Sequence, residues 1–182
     1  MLRNDTDSWG APAKLFHWVM ALLIFAQIAL GLTAVAWHIS PTKLDLFVWH
    51  KSTGMLILAL LALRLLWRLA NRAPALPANM PAWERASAHA SHFLLYALMI
   101  ALPATGWVIS SASNVPFRIF WAIPLPAIVA PDKAVADLFS TVHGWLVTLL
   151  ALVLVAHIGA ALRHHFVRRD TVLTRMLPWR TP

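Results

Sequence analysis

The sequence contains no cysteine among its 182 residues. Disulfides, thiolate-ligated iron–sulfur clusters, blue-copper centres and thioether-attached haem all require cysteine, so none of them can form in this chain. Charge is also scarce: Asp, Glu, Lys and Arg make up 12% of the residues, against about 25% in soluble domains. Apolar residues make up 60%. This balance excludes an ordinary soluble domain and predicts a membrane protein.

Acidic residues and catalytic motifs are few. Only seven residues are Asp or Glu, and most lie outside the apolar runs. The sequence has no G-x-S-x-G, no H-E-x-x-H and no glycine-rich phosphate loop, so the common hydrolase and nucleotide-binding sites are not indicated. The formal charge of +8 comes from Lys and Arg that flank apolar runs instead of forming a patch. No nucleic acid partner is expected.

Four runs are long and apolar enough to cross a bilayer as helices. The predicted spans cover about residues 14–37, 46–69, 89–111 and 138–163. Short connections predict a single transmembrane domain over residues 1–182, folded as an all-α four-helix bundle in up-down-up-down order. Prolines interrupt the apolar segment 115–130, which is expected to lie at the membrane surface. Helix four is expected to start early, near Asp132, and to continue past Arg163.

The positive charges predict an orientation. Four spans put both termini on one side of the membrane, and that side carries eleven of the fifteen basic residues. They are Arg3, Lys14, Arg64, Arg68, Arg72, Arg85, Arg163, Arg168, Arg169, Arg175 and Arg180, against Lys43, Lys51, Arg118 and Lys133 on the other side. Because Lys and Arg concentrate in cytoplasmic loops, we expect both termini to be cytoplasmic.

Two histidines lie within the fourth span. His143 and His157 are fourteen positions apart, so at roughly 100° per residue they return to the same helix face, separated by about 21 Å along the axis. Ionisable groups at membrane depth are costly and mark functional sites, and neutral imidazole is a common metal ligand. The fourth span therefore offers two inward ligands at two depths.

Depth pairs these histidines with two others. His17 lies just inside the start of the first span and His157 about 9 Å before Arg163, which puts both near the cytoplasmic face. His50 and His143 lie about 6 Å and about 8 Å inside the opposite face. Two histidine pairs, one near each face, are the arrangement that two stacked bis-histidine haems require, and bundle cores commonly hold such cofactors. The alternative is that each histidine is a polar contact between helices.

Small and basic residues share the levels of these pairs. Gly31 is fourteen residues after His17, where a missing side chain would leave room for the outer haem, and Gly54 lies one turn after His50. Arg64, with Arg68 at a similar depth, could meet a haem propionate at the inner site, and Lys51 could do so at the outer site. The alternatives are plain helix packing for the glycines and snorkelling to lipid headgroups for the basic residues.

Further histidines lie on the cytoplasmic side. His89 and His92 are three residues apart at the entry to the third span, and His164 and His165 follow the fourth. They are either interfacial polar residues or, for His92 and His164 in particular, part of a quinone or proton-handling site beside the inner haem.

Several of these motifs together resemble the bacterial cytochrome b561 family of four-helix, di-haem membrane cytochromes. The likeness covers nearly the whole chain and is carried by Phe16-His17-Trp18, His50, Arg64-Leu65-Leu66-Trp67-Arg68, Ala88-His89-Ala90-Ser91-His92, Ala101-Leu102-Pro103, Gly106, His143, His157 and His164-His165. The resemblance implies that His17 with His157, and His50 with His143, are axial ligands of two b-type haems. It also implies electron transfer at the bacterial inner membrane, commonly with a quinone.

The sequence thus predicts a multi-pass inner-membrane cytochrome that binds two haem b groups non-covalently and exchanges single electrons with the quinone pool, ubiquinone being the quinone considered. One alternative is a superoxide:quinone oxidoreductase, for which Lys51 and Arg118 would attract the anion. A second is the membrane-anchor subunit of a larger dehydrogenase or hydrogenase complex. A third, non-redox alternative is a small channel or transporter. The electron donor, superoxide or a redox protein, is left open.

Overall fold

The computed structural model describes residues 2–5, 8–77 and 79–177, so Arg180 of the charge argument lies outside the described residues. Four long helices dominate this part of the chain: α1 (Ala11–Ala36), α2 (Pro41–Ala70), α3 (Ala82–Ala112) and α4 (Lys133–Arg163). Each is long and apolar enough to cross a membrane, which confirms the predicted all-α transmembrane fold class. The up-down-up-down order, the cytoplasmic termini and the single domain stay predictions.

Helices α2 and α4 begin before their predicted spans because polar capping residues start them ahead of the apolar runs. Pro41 begins α2 directly after Ser40, whose hydroxyl accepts the Lys43 N–H (3.4 Å). Asp132 caps α4, its carboxylate accepting the N–H groups of Ala134 and Val135 (2.8 and 3.2 Å). The early start predicted for helix four is therefore confirmed.

The end of α4 also follows the prediction that the helix runs past Arg163. A π-helical turn, His164–Arg168, continues it, and Arg169 stops it in the left-handed region (φ 53°). Helix α3 passes through Pro103 without interruption, although that residue has no N–H to donate to the preceding turn.

Large apolar side chains cover the outside of the helices. Only 11–28% of the most apolar stretch of each helix is buried within the protein. Leu22, Phe25, Leu152 and Val155, for example, are more than half exposed. Such faces would be unfavourable in water and are typical of contact with lipid.

Packing divides the chain into two compact units, and each helix contributes to both. The first unit consists of residues 1–20, 60–96 and 150–182, and the second of residues 21–59 and 97–149. In the first unit, buried Glu84 at the start of α3 pairs with Arg163 and Arg168 at the end of α4 (2.7 and 2.6 Å). Trp18 Nε1 donates to the Met176 carbonyl (2.8 Å) and fixes the C-terminal segment to α1.

The second unit contains a feature that the sequence did not predict. Within the proline-interrupted segment, β1 (Phe117–Ile119) and β2 (Ile123–Leu125) form an antiparallel hairpin. Its turn places Phe120 and Trp121 at positive φ (46° and 60°), a conformation that pattern-based reasoning does not expect of aromatic residues. The Phe120 N–H donates to the fully buried Ser52 hydroxyl (2.8 Å), and both aromatic rings pack edge-on against Trp49. The hairpin is thereby attached to α2 beside His50.

Candidate cofactor sites

The second unit brings His50 of α2 and His143 of α4 together. Their ring centres lie 6.4 Å apart, with the ring planes at 73°. Gln27 and Gly31 of α1, one turn apart, flank His50. Gln27 Nε2 donates to the His50 carbonyl (2.7 Å), and an ideal Cβ built on Gly31 would lie 2.7 Å from Cε1 of the His50 ring. The two α1 residues therefore fix both the backbone and the ring of His50.

Each of the two glycines predicted for this level makes room for a neighbour. Gly31 leaves space for the His50 imidazole itself, so its effect on a cofactor would pass through that ring. A Cβ on Gly54 would lie 3.2 Å from Gln27 Nε2, closer than ordinary contact, so Gly54 admits the amide that supports His50. Gln27 was not among the residues predicted from the sequence. Its signal was visible, because an amide in the middle of an apolar span needs a polar partner.

His143 has a hydrogen-bond partner that the sequence argument also missed. Thr105 of α3 is buried, and its hydroxyl lies 2.8 Å from His143 Nδ1 and 2.9 Å from the Leu102 carbonyl oxygen. Gly106, the next residue, lies beside the same ring, with its ideal Cβ 3.8 Å from His143 Cε1. His50 differs, because its Nδ1 is buried and has no hydrogen-bond partner among the described residues.

The first unit brings His17 of α1 and His157 of α4 together in the same way. Their ring centres are also 6.4 Å apart, with the planes at 53°. His92 of α3 also lies against His157, at 5.3 Å between ring centres, and its own side chain is exposed. This unit therefore gathers three imidazoles.

Basic residues border the first pair. Arg64 interacts electrostatically with His17, His92 and His157. The guanidinium groups of Arg64 and Arg68 lie 5.8 and 5.7 Å from the Tyr96 ring centre, and Arg68 also donates to the Tyr96 hydroxyl (3.2 Å). Positive charge is thus held at the level of the histidines, as a negatively charged cofactor substituent would require.

Lys51 and His164, which the sequence predicted to lie beside the cofactors, contact residues outside the histidine pairs. Lys51 lies with its ammonium 5.7 Å from the Phe117 ring centre of the hairpin, and it interacts electrostatically with His50. His164 is buried between acidic groups: its Nδ1 contacts the Asp170 carboxylate and its Nε2 lies 3.9 Å from Glu84. No contact joins His164 to His92 among the described residues.

The histidine spacing fits one type of ligand. Metal–imidazole bonds are about 2 Å long, so an ion bonded to two facing imidazoles separates their ring centres by roughly 6 to 6.5 Å. Both pairs match this spacing. In the described part of the chain, no group of three His, Asp or Glu residues could hold a bare metal ion. Two axial imidazoles are sufficient when a porphyrin supplies the equatorial ligands, so the donor set fits haem.

Comparison with known proteins agrees with this donor set. The model of the family described as prokaryotic cytochrome b561 matches residues 8–179. The chain is 34% identical over 181 residues to Cytochrome b561 homolog 2 of Escherichia coli K12, covering 96% of this chain and 93% of that protein. It is 27% identical over 166 residues to Cytochrome b561 homolog 1 of the same strain, covering 90% and 93%.

A third relative carries an activity in its name. The chain is 30% identical over 163 residues to "Probable superoxide oxidase CybB" of Yersinia pestis, covering 89% of this chain and 91% of that protein. These matches span nearly the whole sequence, as the resemblance noted from the motifs requires. The chain therefore belongs to the prokaryotic cytochrome b561 family, whose members are multi-pass bacterial membrane proteins that bind haem b and transfer electrons.

Proposed function

We propose that the protein is a di-haem cytochrome of the bacterial inner membrane, in which His17 and His157 hold one haem b and His50 and His143 hold the other. The observation that carries the proposal is the equal 6.4 Å spacing of two separate imidazole pairs. A bound haem iron supplies one-electron chemistry by alternating between its ferric and ferrous forms. The proposal keeps the sequence-derived orientation, with both termini in the cytoplasm.

The side chains around each pair favour electron transfer over substrate activation. Two histidines bound to one haem iron would leave it no open coordination position. Gln27 and Gly31 hold His50, and Thr105 contacts His143, so the ligands of this pair are fixed in place. Rigid ligands lower the reorganisation that accompanies a change of charge. At the pair formed by His17 and His157, the positive charge of Arg64 would offset the negative charge of a haem propionate.

Quinone exchange is proposed at the pair that contains His157. His92 is exposed and lies against the His157 ring, so it could hydrogen-bond a quinone carbonyl and deliver one of the two protons that reduction to the quinol needs. Arg68 and Tyr96 supply further donors nearby. His164 contacts Asp170 and Glu84 and not His92. In this proposal, His164 would affect a quinone only indirectly, through these two carboxylates.

Superoxide:quinone oxidoreductase activity is the second candidate. One relative is named a probable superoxide oxidase, and Lys51 places a cation next to His50. A small anion would be attracted to this position.

Family membership favours an electron carrier over a channel. Co-purifying redox subunits would indicate a membrane anchor.

A haem count with single-histidine variants tests the proposal. Purified protein should contain two haems per chain by pyridine haemochrome, both low-spin by electron paramagnetic resonance. His17→Ala and His157→Ala should each lose one haem, and His50→Ala and His143→Ala should each lose the other. His38→Ala is the control, because this loop histidine stacks only on Trp37. One haem in the unmutated protein, or loss of the same haem from His17→Ala and His143→Ala, would contradict the assignment.

A further inference from the structure

We infer that Thr105 is a positioning residue whose hydroxyl oxygen accepts the Nδ1 hydrogen of His143, so that Nε2 would be left to bind the iron and the electron affinity of that haem would be lowered. The inference rests on the proposed function, since it assumes that His143 is an axial ligand. Thr105 lies in α3, the helix that provides neither ligand of this pair.

The Thr105 hydroxyl has a single proton to donate. Two groups lie within hydrogen-bond distance of its oxygen: the Leu102 carbonyl at 2.9 Å and His143 Nδ1 at 2.8 Å. The carbonyl can only accept, so the hydroxyl proton is directed to Leu102. The hydroxyl oxygen must then accept from His143, whose Nδ1 carries the hydrogen.

The opposite arrangement leaves a bond unmade. If Thr105 donated to an unprotonated Nδ1, its oxygen would face the Leu102 carbonyl oxygen at 2.9 Å with no proton between them. Thr105 is buried, with 8% of its surface exposed, so water does not compensate for such a contact. A neutral imidazole protonated at Nδ1 has its lone pair on Nε2, which is the atom then free to bind a metal.

The same chain of hydrogen bonds affects the electronic character of the ligand. A histidine ligand that donates its second ring hydrogen to an acceptor becomes more basic. A more basic ligand stabilises ferric over ferrous iron. His50 Nδ1 is buried, and no side chain among the described residues hydrogen-bonds it. The Thr105 hydroxyl is thus a side-chain partner that one histidine of this pair has and the other lacks.

Thr105→Val and Thr105→Ser provide the test. Valine keeps the shape and removes the hydroxyl, whereas serine keeps the hydroxyl and can make both bonds. In a redox titration, Thr105→Val should shift the reduction equilibrium of the haem that His143→Ala removes toward the ferrous form by roughly fivefold, the change expected from one hydrogen bond. Thr105→Ser should restore the wild-type equilibrium. The other haem should be unchanged in both.

Thr148→Val is the matched control, because the Thr148 hydroxyl donates only to the Gly144 carbonyl (3.1 Å) on the same helix. A potential in Thr105→Val equal to that of Thr148→Val would overturn the inference while leaving two haems, and hence the proposed function, intact. If Thr105→Val does not retain the haem, the redox titration cannot be done on it. The test is then the infrared difference spectrum between oxidised and reduced wild-type protein. A redox-linked, deuterium-sensitive band of Nδ1-protonated imidazole that is present in the wild type and kept in Thr105→Ser supports the inference, and its absence from the wild type overturns it.

Discussion

The backbone of Gly31 lies directly against the imidazole of His50. A Cβ at position 31 would be 2.7 Å from Cε1 of that ring, closer than real Cβ atoms approach, and 3.0 Å from Nδ1. Gln27 also donates to the His50 carbonyl, so the backbone from which the ring projects is held against α1. Gly31 is thus a steric requirement for the orientation of His50.

Gly31→Ala is therefore expected to lose the haem held by His50 and His143 while retaining the other. The added methyl group displaces the His50 ring, and ligand displacements of this kind reduce metal affinity by roughly 10–100-fold even when the ligand itself is kept. Haem content per chain and the low-spin signal measure the loss. Gly144→Ala is the control, since a Cβ there meets no described atom within 4 Å. Equal haem content in the two variants would show that the His50 position tolerates the methyl group.

The pairing of the histidines could be predicted from sequence because helix periodicity and span ends together fix both face and depth. The structure indeed brings His17 to His157 and His50 to His143. Whether these rings bind haem is a separate prediction, which the variants above test. The reason for Gly31 was not predictable, since it depends on the approach of two helices.

The remaining features depend on geometry that a linear pattern does not contain. The contact between Thr105 and His143 requires a particular rotation of α3, and the hairpin requires positive φ at Phe120 and Trp121. Prolines correctly indicated that this segment does not cross the membrane as a helix. They gave no information on strand pairing, because the two strands are only three residues long.

Arg64→Gln is expected to lower the midpoint potential of the haem held by His17 and His157. A nearby cation favours the reduced state, and losing it should shift the potential by roughly 20–60 mV for a one-electron couple. A redox titration resolves the two haems, and the other one should not move. The control is Arg72→Gln, an exposed residue of the same unit. An unchanged potential in Arg64→Gln would favour the alternative that Arg64 serves only as a membrane-interface anchor.

Glu84→Gln is expected to lower the melting temperature by a few degrees. The Glu84 carboxylate is buried, with 5% of its side chain exposed, and one of its oxygens accepts from both Arg163 and Arg168. Neutralising it leaves two guanidinium groups facing each other without a counter-charge. Thermal unfolding in detergent measures the change.

The control for this ion pair is Asp137→Asn, which removes the partner of Lys133. Both of these side chains are more than half exposed, so their pair contributes little. If Glu84→Gln and Asp137→Asn melt at the same temperature, the Glu84 cluster does not stabilise the junction between α3 and α4.

Lys51→Gln tests whether superoxide is an electron donor. If superoxide reduces the haem beside His50, mixing should produce ferrous haem within milliseconds, and neutralising Lys51 should slow this reaction severalfold because one attractive charge is lost. The wild-type rate should also fall with ionic strength, and less steeply in Lys51→Gln. Lys133→Gln controls for net charge, since Lys133 is exposed and already paired with Asp137. Absence of millisecond reduction in the wild type would exclude superoxide oxidation, whereas equal rates in the two lysine variants would exclude only the role of Lys51.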